Sequence, residues 1–482
     1  AYGHSSTTGT ILTHILNLSL CTCTIPTDWK LACVTPVFKG SGLRHDMSNY
    51  RPLSIMCHIA KALEKEIQDQ LLEYLTLHCF ISPDQSAYLK KHSTQTCLHK
   101  VVDDWLHNIN DDLYTAVCFL DLRKCFDSID HGILIRKLQK YGVRNNELKW
   151  FQSYLNDRKQ IVKCNGELSA PRAVTIGVPQ GSVIGPLLFL LFVNDITQHV
   201  VHGQCNLFAD DTLIYACHDS IPQANANLQC AINEAEVWFN GNKVCVNTSK
   251  SNTLLISQGL KDLQELDIHM YGTNIEQVDS VKYLGIKIDD RLTWQQQVIH
   301  IQKVVMYKLS VLRRLSTILP RSLLEQIYKS CIQPNLDYAD TVWGLCGVGC
   351  SQSVQKLQNY AARIICKNFD FVNVRGIDLV NELGWQTIET RRNFHIATLM
   401  FKCIHGLAPD YLCDQVTLVS EIATRSTRSA HSLDVVIPKV NKEIFRKSFQ
   451  YSGAVVWNNL PDNVRRADDL FTFKLQYRQC YF

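Results

Sequence analysis

The sequence predicts an α+β fold of about three domains, and three observations lead to that prediction. The chain has 482 residues, and domains hold roughly 150 residues each. Helical spacing of apolar residues dominates its first part and returns after residue 298. Between these regions lie short apolar runs of strand length, several of which end in aspartates. The predicted sheet and the candidate chemistry therefore share one part of the chain.

Each predicted element follows from side-chain spacing. Helices are expected at residues 58–78, at 97–109 and from Ile133 to Tyr141, where apolar side chains recur at helical intervals. Strands are expected at 115–122, at 206–215 as two short strands around an acidic turn, at 251–257 and at 282–288. Residues 298–332 predict one or two amphipathic helices, and residues 346–482 predict helices to about 408 and mixed structure beyond.

Composition excludes several classes of protein. The chain is 46% hydrophobic and 20% charged, which is ordinary globular usage and excludes a disordered or collagen-like chain. The longest apolar stretch, at 186–193, is far too short to span a membrane, and residues 11–20 lack the flanks of a signal peptide. The first residue is Ala1 rather than Met, which predicts a piece of a longer reading frame.

The 20 cysteines lie largely in apolar runs and predict free thiols in a reducing compartment. Their only close pairs, Cys21/Cys23 and Cys346/Cys350, lack the second pair that a zinc finger needs.

Charge is informative only locally. The whole chain carries 49 basic and 45 acidic residues, a net charge of +4. Residues 298–332, however, hold six basic residues and one acid, Glu325. That excess suits a nucleic-acid backbone, and a solvated helix face explains it equally well.

Adjacent aspartates occur five times, so context must distinguish the pairs. Asp103 and Asp104 interrupt a helical apolar pattern and are expected on the solvated face of that helix. The pairs at 111/112, 289/290 and 468/469 lie at element ends, where carboxylates cap helices or close turns. Asp210 and Asp211 differ, because apolar strand-like runs enclose them on both sides. Two like charges held there repel one another unless a cation lies between them.

Asp121 ends a further apolar strand and joins that pair if the two strands are neighbours in one sheet. Carboxylate oxygens on rigid strand ends suit Mg²⁺, which completes its coordination with waters and substrate phosphates. Two such ions support nucleotidyl transfer to a primer 3′-hydroxyl. Three unrelated turn acids are the alternative on these residues alone.

Several ordered motifs resemble those of reverse transcriptases, and more narrowly those of LINE-type, non-LTR retrotransposons of the jockey kind. The carriers are NYRPLSI (49–55), FLDLRKCFDSIDH (119–131), GVPQGSVIGPLLFLLFVNDI (177–196), FADD (208–211), SKSN (249–252), VKYLGI (281–286) and HGLAPDYL (405–412). The resemblance implies a right-hand polymerase with an antiparallel palm sheet. Its expected divisions are a clipped extension (1–24), fingers and palm (25–290), thumb (291–345) and a mainly helical C-terminal region (346–482).

The resemblance also implies roles for single residues. Asp121, Asp210 and Asp211 match the catalytic, metal-binding aspartates, with Mg²⁺ as the expected ion and Mn²⁺ as a substitute. Phe126 matches the aromatic residue beneath the incoming sugar, where a ring leaves no room for a ribose 2′-hydroxyl. The remaining matches are to substrate-binding positions: Gln180 and Gly181 beside the nucleotide, Lys39 and Arg51 on the triphosphate, and Lys250 near the departing pyrophosphate.

The implied activity is RNA-directed DNA synthesis during target-primed retrotransposition. It would use an RNA template, a DNA primer or nicked chromosomal target and deoxynucleoside triphosphates, with no membrane, and chromosomal priming implies the nucleus after passage through the cytoplasm. An endonuclease domain and a zinc knuckle are not visible in the sequence. Two alternatives stay open: a decayed or domesticated RNA-binding copy, and another two-metal enzyme such as an RNA-directed RNA polymerase or a nuclease.

Overall fold

The computed structural model describes residues 3–40, 42–257, 265–422 and 433–481, with side chains from residue 9. Its strands are β1 Leu31–Phe38, β2 Tyr50–Ile55, β3 Tyr114–Asp121, β4 Arg158–Cys164, β5 Glu167–Leu168, β6 Arg172–Val174, β7 Gln204–Phe208, β8 Asp211–His218, β9 Asn252–Ile256, β10 His269–Met270, β11 Thr273–Asn274, β12 Ser280–Tyr283 and β13 Ile286–Asp289.

The helices of the first half are α1 Gly3–Thr22, α2 His58–Leu77, α3 Thr94–Asn110, α4 Cys125–Ser128, α5 His131–Lys140, α6 Asn145–Leu155, α7 Gly185–Val193, α8 Ile196–His199 and α9 Ile221–Asn242. Those that follow are α10 Gln295–Leu315, α11 Arg321–Ile327, α12 Gln333–Asp337, α13 Asp340–Trp343, α14 Val348–Cys366, α15 Gly376–Glu382, α16 Ile388–Ile404, α17 Asp410–Cys413, α18 Val419–Ile422, α19 Phe449–Asn458, α20 Asp462–Arg465 and α21 Leu470–Tyr481.

A four-stranded sheet, here called the central sheet, organises the molecule with strand order β7-β8-β3-β9. All of its pairings are antiparallel. Because side chains alternate across a strand, its apolar residues supply two cores. Ala116, Cys118 and Leu120 pack with α2, α5, α6, α7 and α9 on one face. Val117 and Phe119 pack with α3, α10 and α14 on the other.

A second sheet, here called the N-terminal sheet, follows the order β2-β1-β4-β5, with β6 paired to β4. Strands β1 and β2 form an antiparallel hairpin, whereas β1 and β4 run parallel. The backbone amide of Ser54 in β2 donates to the carbonyl oxygen of Gln180 at 2.7 Å. This bond joins the N-terminal sheet to the loop that precedes α7.

The C-terminal part builds a third core, in which α16, α19 and α21 pack around Phe401, Trp457 and Phe473. The region after residue 408 is more helical than the sequence predicted, because α18, α19, α20 and α21 follow α17. The predicted strand at 282–288 is a hairpin instead: Leu284 and Gly285 adopt positive φ values of 44° and 84° and turn the chain between β12 and β13.

The prediction for Asp103 and Asp104 is wrong. Asp103 is only 1% exposed, and the backbone amide of Phe449 donates to its Oδ1 at 2.9 Å. The Tyr215 hydroxyl donates to Oδ2 of Asp104 at 2.6 Å. Helix α3 therefore has protein next to both carboxylates, because the C-terminal region packs against Asp103 through Phe449 and strand β8 reaches Asp104 through Tyr215.

No helix in the described ranges combines the length and apolar character needed to cross a membrane.

Candidate nucleotidyl-transfer site

The three predicted aspartates meet at one end of the central sheet. Asp121 is the last residue of β3 and Asp211 is the first of β8, and the two are register partners on neighbouring strands. Phe208 pairs with Asp211 across the β7–β8 hairpin, which leaves Ala209 and Asp210 as its two loop residues. The sheet register therefore brings Asp121 beside Asp211, and the tight turn adds Asp210.

The hairpin turn is built around an unusual residue. Two-residue hairpin loops need a positive φ to match the twist of their strands, and glycine adopts it most easily. Here Ala209 has φ 55°. The chain thus keeps a side chain in a strained conformation next to the acidic cluster, as often happens at functional sites.

The clustered charges alter the protonation of Asp211. Although Asp211 reaches solvent, burial by surrounding protein atoms, followed by the negative charges of Asp210 and Asp121, raises its pKa to about 6. The charge of Asp210 also contributes to raising the pKa values of Cys125 and Tyr88, after burial. An arrangement that disfavours its own third negative charge is stabilised by a cation.

The oxygens of these carboxylates suit a metal ion. No described group donates a hydrogen bond to the carboxylate of Asp210 or Asp211, and in Asp121 only Oδ2 accepts one, from Nδ2 of Asn247 at 3.1 Å. Free carboxylate oxygens are the donors that hard divalent cations prefer. The residues present therefore fit a divalent ion.

Within the described ranges, a different trio is the one whose ligating atoms all lie within 4.8 Å of one another: Asp337, Asp340 and His395. Its charges are already balanced. Arg391 binds Asp337 through two nitrogens, and His395 Nδ1 lies 2.7 Å from Oδ2 of Asp340. The buried Arg392 adds a further positive charge near Asp340. We interpret this trio as an ion-pair network. A site for two ions about 3.5–4 Å apart needs carboxylates that are spread more widely than this trio, so the 4.8 Å limit does not argue against Asp121, Asp210 and Asp211.

Phe126 lies in α4, five residues after Asp121. Its ring is half-buried and stacks on Phe189 of α7, with centroids 4.6 Å apart. The Phe126 carbonyl oxygen accepts from the amide of Val178 at 2.7 Å. The short helix and the loop before α7 are thereby connected by the backbone.

Gln180 and Gly181 lie in that loop, where Gln180 contacts α4 and Gly181 contacts strand β2. Nε2 of Gln180 donates to Oδ1 of Asp127 at 2.9 Å. Gly181 has φ 122°, and a Cβ there would lie 2.5 Å from the Ser54 carbonyl oxygen. The close approach that requires glycine in this structure is thus to strand β2.

Lys39 and Arg51 are both exposed at the β1–β2 hairpin. Arg51 is the register partner of Val37, and Lys39 directly follows β1. The Lys39 ammonium donates to the Ser48 carbonyl oxygen at 2.9 Å. The two cations share a hairpin, and the Ser54–Gln180 bond joins that hairpin to the loop before α7.

Lys250 is exposed in the turn before β9, and its ammonium makes no hydrogen bond or ion pair with a described residue. Two nearby residues were not predicted from the sequence: Asn247 binds the side chain of Asp121, and Ser251 binds its backbone amide. The available signal was the polar run NTSKSN, which follows Val246 and leads into the predicted strand at 251–257.

Glu64 was also missed. It is 2% exposed, and its Oε2 accepts from the amides of Val183 and Ile184 at 2.7 and 3.3 Å, at the start of α7. Its position in an ordinary amphipathic helix carries no sequence signal.

Comparison with known proteins identifies residues 39–288 with the family described as "Reverse transcriptase (RNA-dependent DNA polymerase)". That match covers more than half of the chain.

Curated relatives give the same picture. The chain is 28% identical to the "Probable RNA-directed DNA polymerase from transposon BS" of Drosophila melanogaster, covering 77% of this chain and 42% of that protein. It is 27% identical to the "RNA-directed DNA polymerase from mobile element jockey" of the same species, covering 73% and 39%. The chain therefore spans about two-fifths of the length of these relatives.

Among solved structures, telomerase from Candida albicans in complex with a telomeric RNA fragment is similar at 12% identity. The match covers 76% of this chain and 66% of that one, with a TM-score of 0.39.

Proposed function

Because the chain belongs to the reverse transcriptase (RNA-dependent DNA polymerase) family, whose right-hand polymerase fold it has, we propose that it is an RNA-directed DNA polymerase. It extends a primer 3′-end with deoxynucleotides on an RNA template. One observation carries the proposal: Asp121 faces Asp211 across neighbouring strands, with Asp210 in the adjoining turn. Free carboxylate oxygens at one sheet end are what nucleotidyl transfer requires of a protein.

Members of the family generally use divalent metal ions. The finer proposal is two Mg²⁺ ions, with Mn²⁺ as a substitute, held by Asp121, Asp210 and Asp211. When bound, such ions lower the barrier by activating the primer hydroxyl and neutralising the leaving pyrophosphate. The protein's part is to hold the three carboxylates at the end of a rigid sheet.

The other proposed residues act on the incoming nucleotide. Phe126 lies under the sugar and excludes a 2′-hydroxyl, supported by the stacked ring of Phe189. Gln180 lies beside the nucleotide, while Lys39 and Arg51 provide positive charge for the triphosphate. Lys250, whose ammonium has no described partner, is available to donate a proton to the pyrophosphate.

The proposed setting is target-primed retrotransposition, with the element's transcript as template and nicked chromosomal DNA as primer. Copying at a chromosome requires the nucleus as the working compartment. The proposed division of labour is fingers and palm at 25–290, thumb at 291–345 and a C-terminal region at 346–482. The basic helix α10 supports the thumb assignment, because it carries Lys303, Lys308, Arg313 and Arg314.

The test is primer extension on an RNA template with Mg²⁺. We expect Asp210→Asn to lower the extension rate at least about 100-fold, since the loss of a metal ligand removes several kcal/mol of transition-state stabilisation. Asp111→Asn, at the exposed end of α3, is the matched control and should leave the rate unchanged.

RNA binding is measured on the same proteins. Retained binding with lost synthesis in Asp210→Asn supports the polymerase. Absence of synthesis in the parent protein, together with salt-sensitive RNA binding, would support the non-catalytic RNA-binding alternative instead. Equal synthesis by the parent and Asp210→Asn would refute the assigned site.

A further inference from the structure

The carboxylate of Asp121 is held by a segment outside its own hairpin. Residues 245–251 run past the end of β3, with Val246 bridged to Leu122. In this segment Asn247 is 8% exposed, and its Nδ2 donates to Oδ2 of Asp121 at 3.1 Å. Its backbone amide donates to the carbonyl oxygen of Asp121 at 2.7 Å. Two bonds from one residue therefore fix both the backbone and the side chain of Asp121.

Asn247 is itself held in one orientation. Its Oδ1 accepts from Nη2 of Arg123 at 3.2 Å and from the hydroxyl of Ser249 at 2.9 Å. Since the Arg123 guanidinium can only donate and the Asp121 carboxylate can only accept, the oxygen must face Arg123 and the amide nitrogen must face Asp121. A turned amide would lose its hydrogen bonds to both Arg123 and Asp121.

Ser251 completes the attachment from the backbone side. Its hydroxyl donates to the Asn247 carbonyl oxygen at 3.0 Å and accepts from the amide of Asp121 at 3.2 Å. Ser251 is 2% exposed, so these bonds are shielded from water. The end of β3 and the 245–251 segment thus form one rigid unit.

An amide is well suited to this position. It donates to one oxygen of Asp121 and leaves Oδ1 without a described donor. A lysine or arginine would hold the carboxylate equally well but would repel a cation, because it brings a positive charge. A neutral donor orients the carboxylate and leaves its full negative charge available.

We propose that Asn247 is a positioning residue that orients the Asp121 carboxylate for the metal ions of nucleotidyl transfer. The inference rests on the proposed function and extends it to a residue outside the three acids. It predicts that the hydrogen-bond donor of Asn247 is needed, and not only its size.

Asn247→Asp removes the donor and adds a negative charge, while it keeps the oxygen that accepts from Arg123 and Ser249. The added negative charge and the lost orientation of Asp121 predict opposite changes in Mn²⁺ binding. If only negative charge mattered, the added carboxylate would tighten Mn²⁺ binding. If orientation matters, we expect kcat for primer extension to fall about 10- to 100-fold with the nucleotide KM nearly unchanged, and Mn²⁺ binding to weaken.

Mn²⁺ binding is measured by electron paramagnetic resonance of the free ion, without nucleic acid or nucleotide. Asn233→Asp, the same substitution on the exposed side of α9, is the matched control and should change neither quantity. Melting temperatures establish that the variants fold, and Asn247→Ala provides a second variant that lacks the donor without adding charge.

The outcomes separate the two proposals. Weaker Mn²⁺ binding by both Asn247 variants supports the positioning role even if the parent protein makes no DNA, which would refute only the proposed activity. Parent-like kcat with equal or tighter Mn²⁺ binding in both variants overturns the positioning role and leaves the polymerase intact.

Discussion

The ring of Phe126 stacks on the ring of Phe189, with centroids 4.6 Å and planes 27° apart. Phe189 is 1% exposed in α7, whereas Phe126 is half-buried in α4. The exposed part of Phe126 therefore has a rigid support behind it. A ring that cannot retreat makes an effective steric barrier, because close-packed interiors yield little.

This stacking predicts that Phe126→Ala relaxes sugar discrimination. Loss of the ring opens space for a 2′-hydroxyl, so we expect the ratio of ribonucleotide to deoxynucleotide kcat/KM to rise by about tenfold or more, which corresponds to at least about 1.4 kcal/mol. The measurement is single-nucleotide extension with matched nucleotide pairs. Phe126→Tyr keeps the ring and is the control. An unchanged ratio in Phe126→Ala would show that the ring does not contact the sugar.

The central sheet was predictable from the sequence because its strands are apolar and strand-length. The predicted strands at 115–122, 206–215 and 251–257 correspond to β3, the β7–β8 hairpin and β9. Helices α2 and α3 were predicted within a few residues for the same reason. The spacing of apolar residues within each segment is enough to predict these elements, and contacts with neighbouring elements change only their ends.

What the sequence could not reveal depends on contacts between distant segments. Asp103 breaks an apolar helical pattern, which normally marks a solvated face, but Phe449 lies 346 positions away in the chain and donates to it. The link from Asn247 to Asp121 spans 126 positions. Neither contact has a periodic signature, so only the folded chain displays it.

Ala209 leads to a prediction about stability. Its φ of 55° disfavours any residue with a Cβ. Ala209→Gly should therefore raise the free energy of unfolding by roughly 0.5–1 kcal/mol, and Ala209→Val should lower it by at least about 1 kcal/mol. Denaturant unfolding measures both.

Ala216→Gly, on the same strand β8, is the control for this pair. It removes a buried methyl group and adds freedom to the unfolded chain, so it should destabilise the protein. If both glycine variants destabilise equally, the turn at Ala209 carries no strain.

Glu64 leads to a prediction about nucleotide binding. Its carboxylate accepts from the amides of Val183 and Ile184, which lie between Gln180 and the first residue of α7. Glu64→Gln keeps the shape but loses a charge-assisted bond at a helix N-terminus, which costs about 1–2 kcal/mol of loop stability. We expect the nucleotide KM to rise several-fold with a smaller change in kcat.

The control is Glu66→Gln, an exposed residue on the same helix α2. Steady-state extension with varied nucleotide concentration separates KM from kcat. A normal KM in Glu64→Gln would show that the loop holds its shape without the carboxylate.

Asp103 leads to a prediction about pH and stability. Burial raises its pKa to about 8, and the adjacent Asp104 adds to the effect. Nearby His99 is held neutral, because burial lowers its pKa to about 3. The folded chain therefore binds a proton at Asp103 that the unfolded chain releases near its ordinary value of 3.8. The stability contribution of Asp103 is complete below pH 3.8 and is lost as pH rises through about 8.

Asp103→Asn isolates this contribution, because the amide keeps an oxygen for the Phe449 amide and never ionises. The expected difference in unfolding free energy, variant minus parent, increases from pH 5 to pH 9 by an amount on the order of a few kcal/mol. Thermal unfolding in matched buffers measures it, with exposed Asp111→Asn as the control. The slope appears because the folded chain keeps the proton that the unfolded chain has already released, and it levels off once the folded carboxyl ionises near pH 8. A difference that stays constant from pH 5 to pH 9 would mean that Asp103 is already ionised in the fold, held by a partner other than the Phe449 amide.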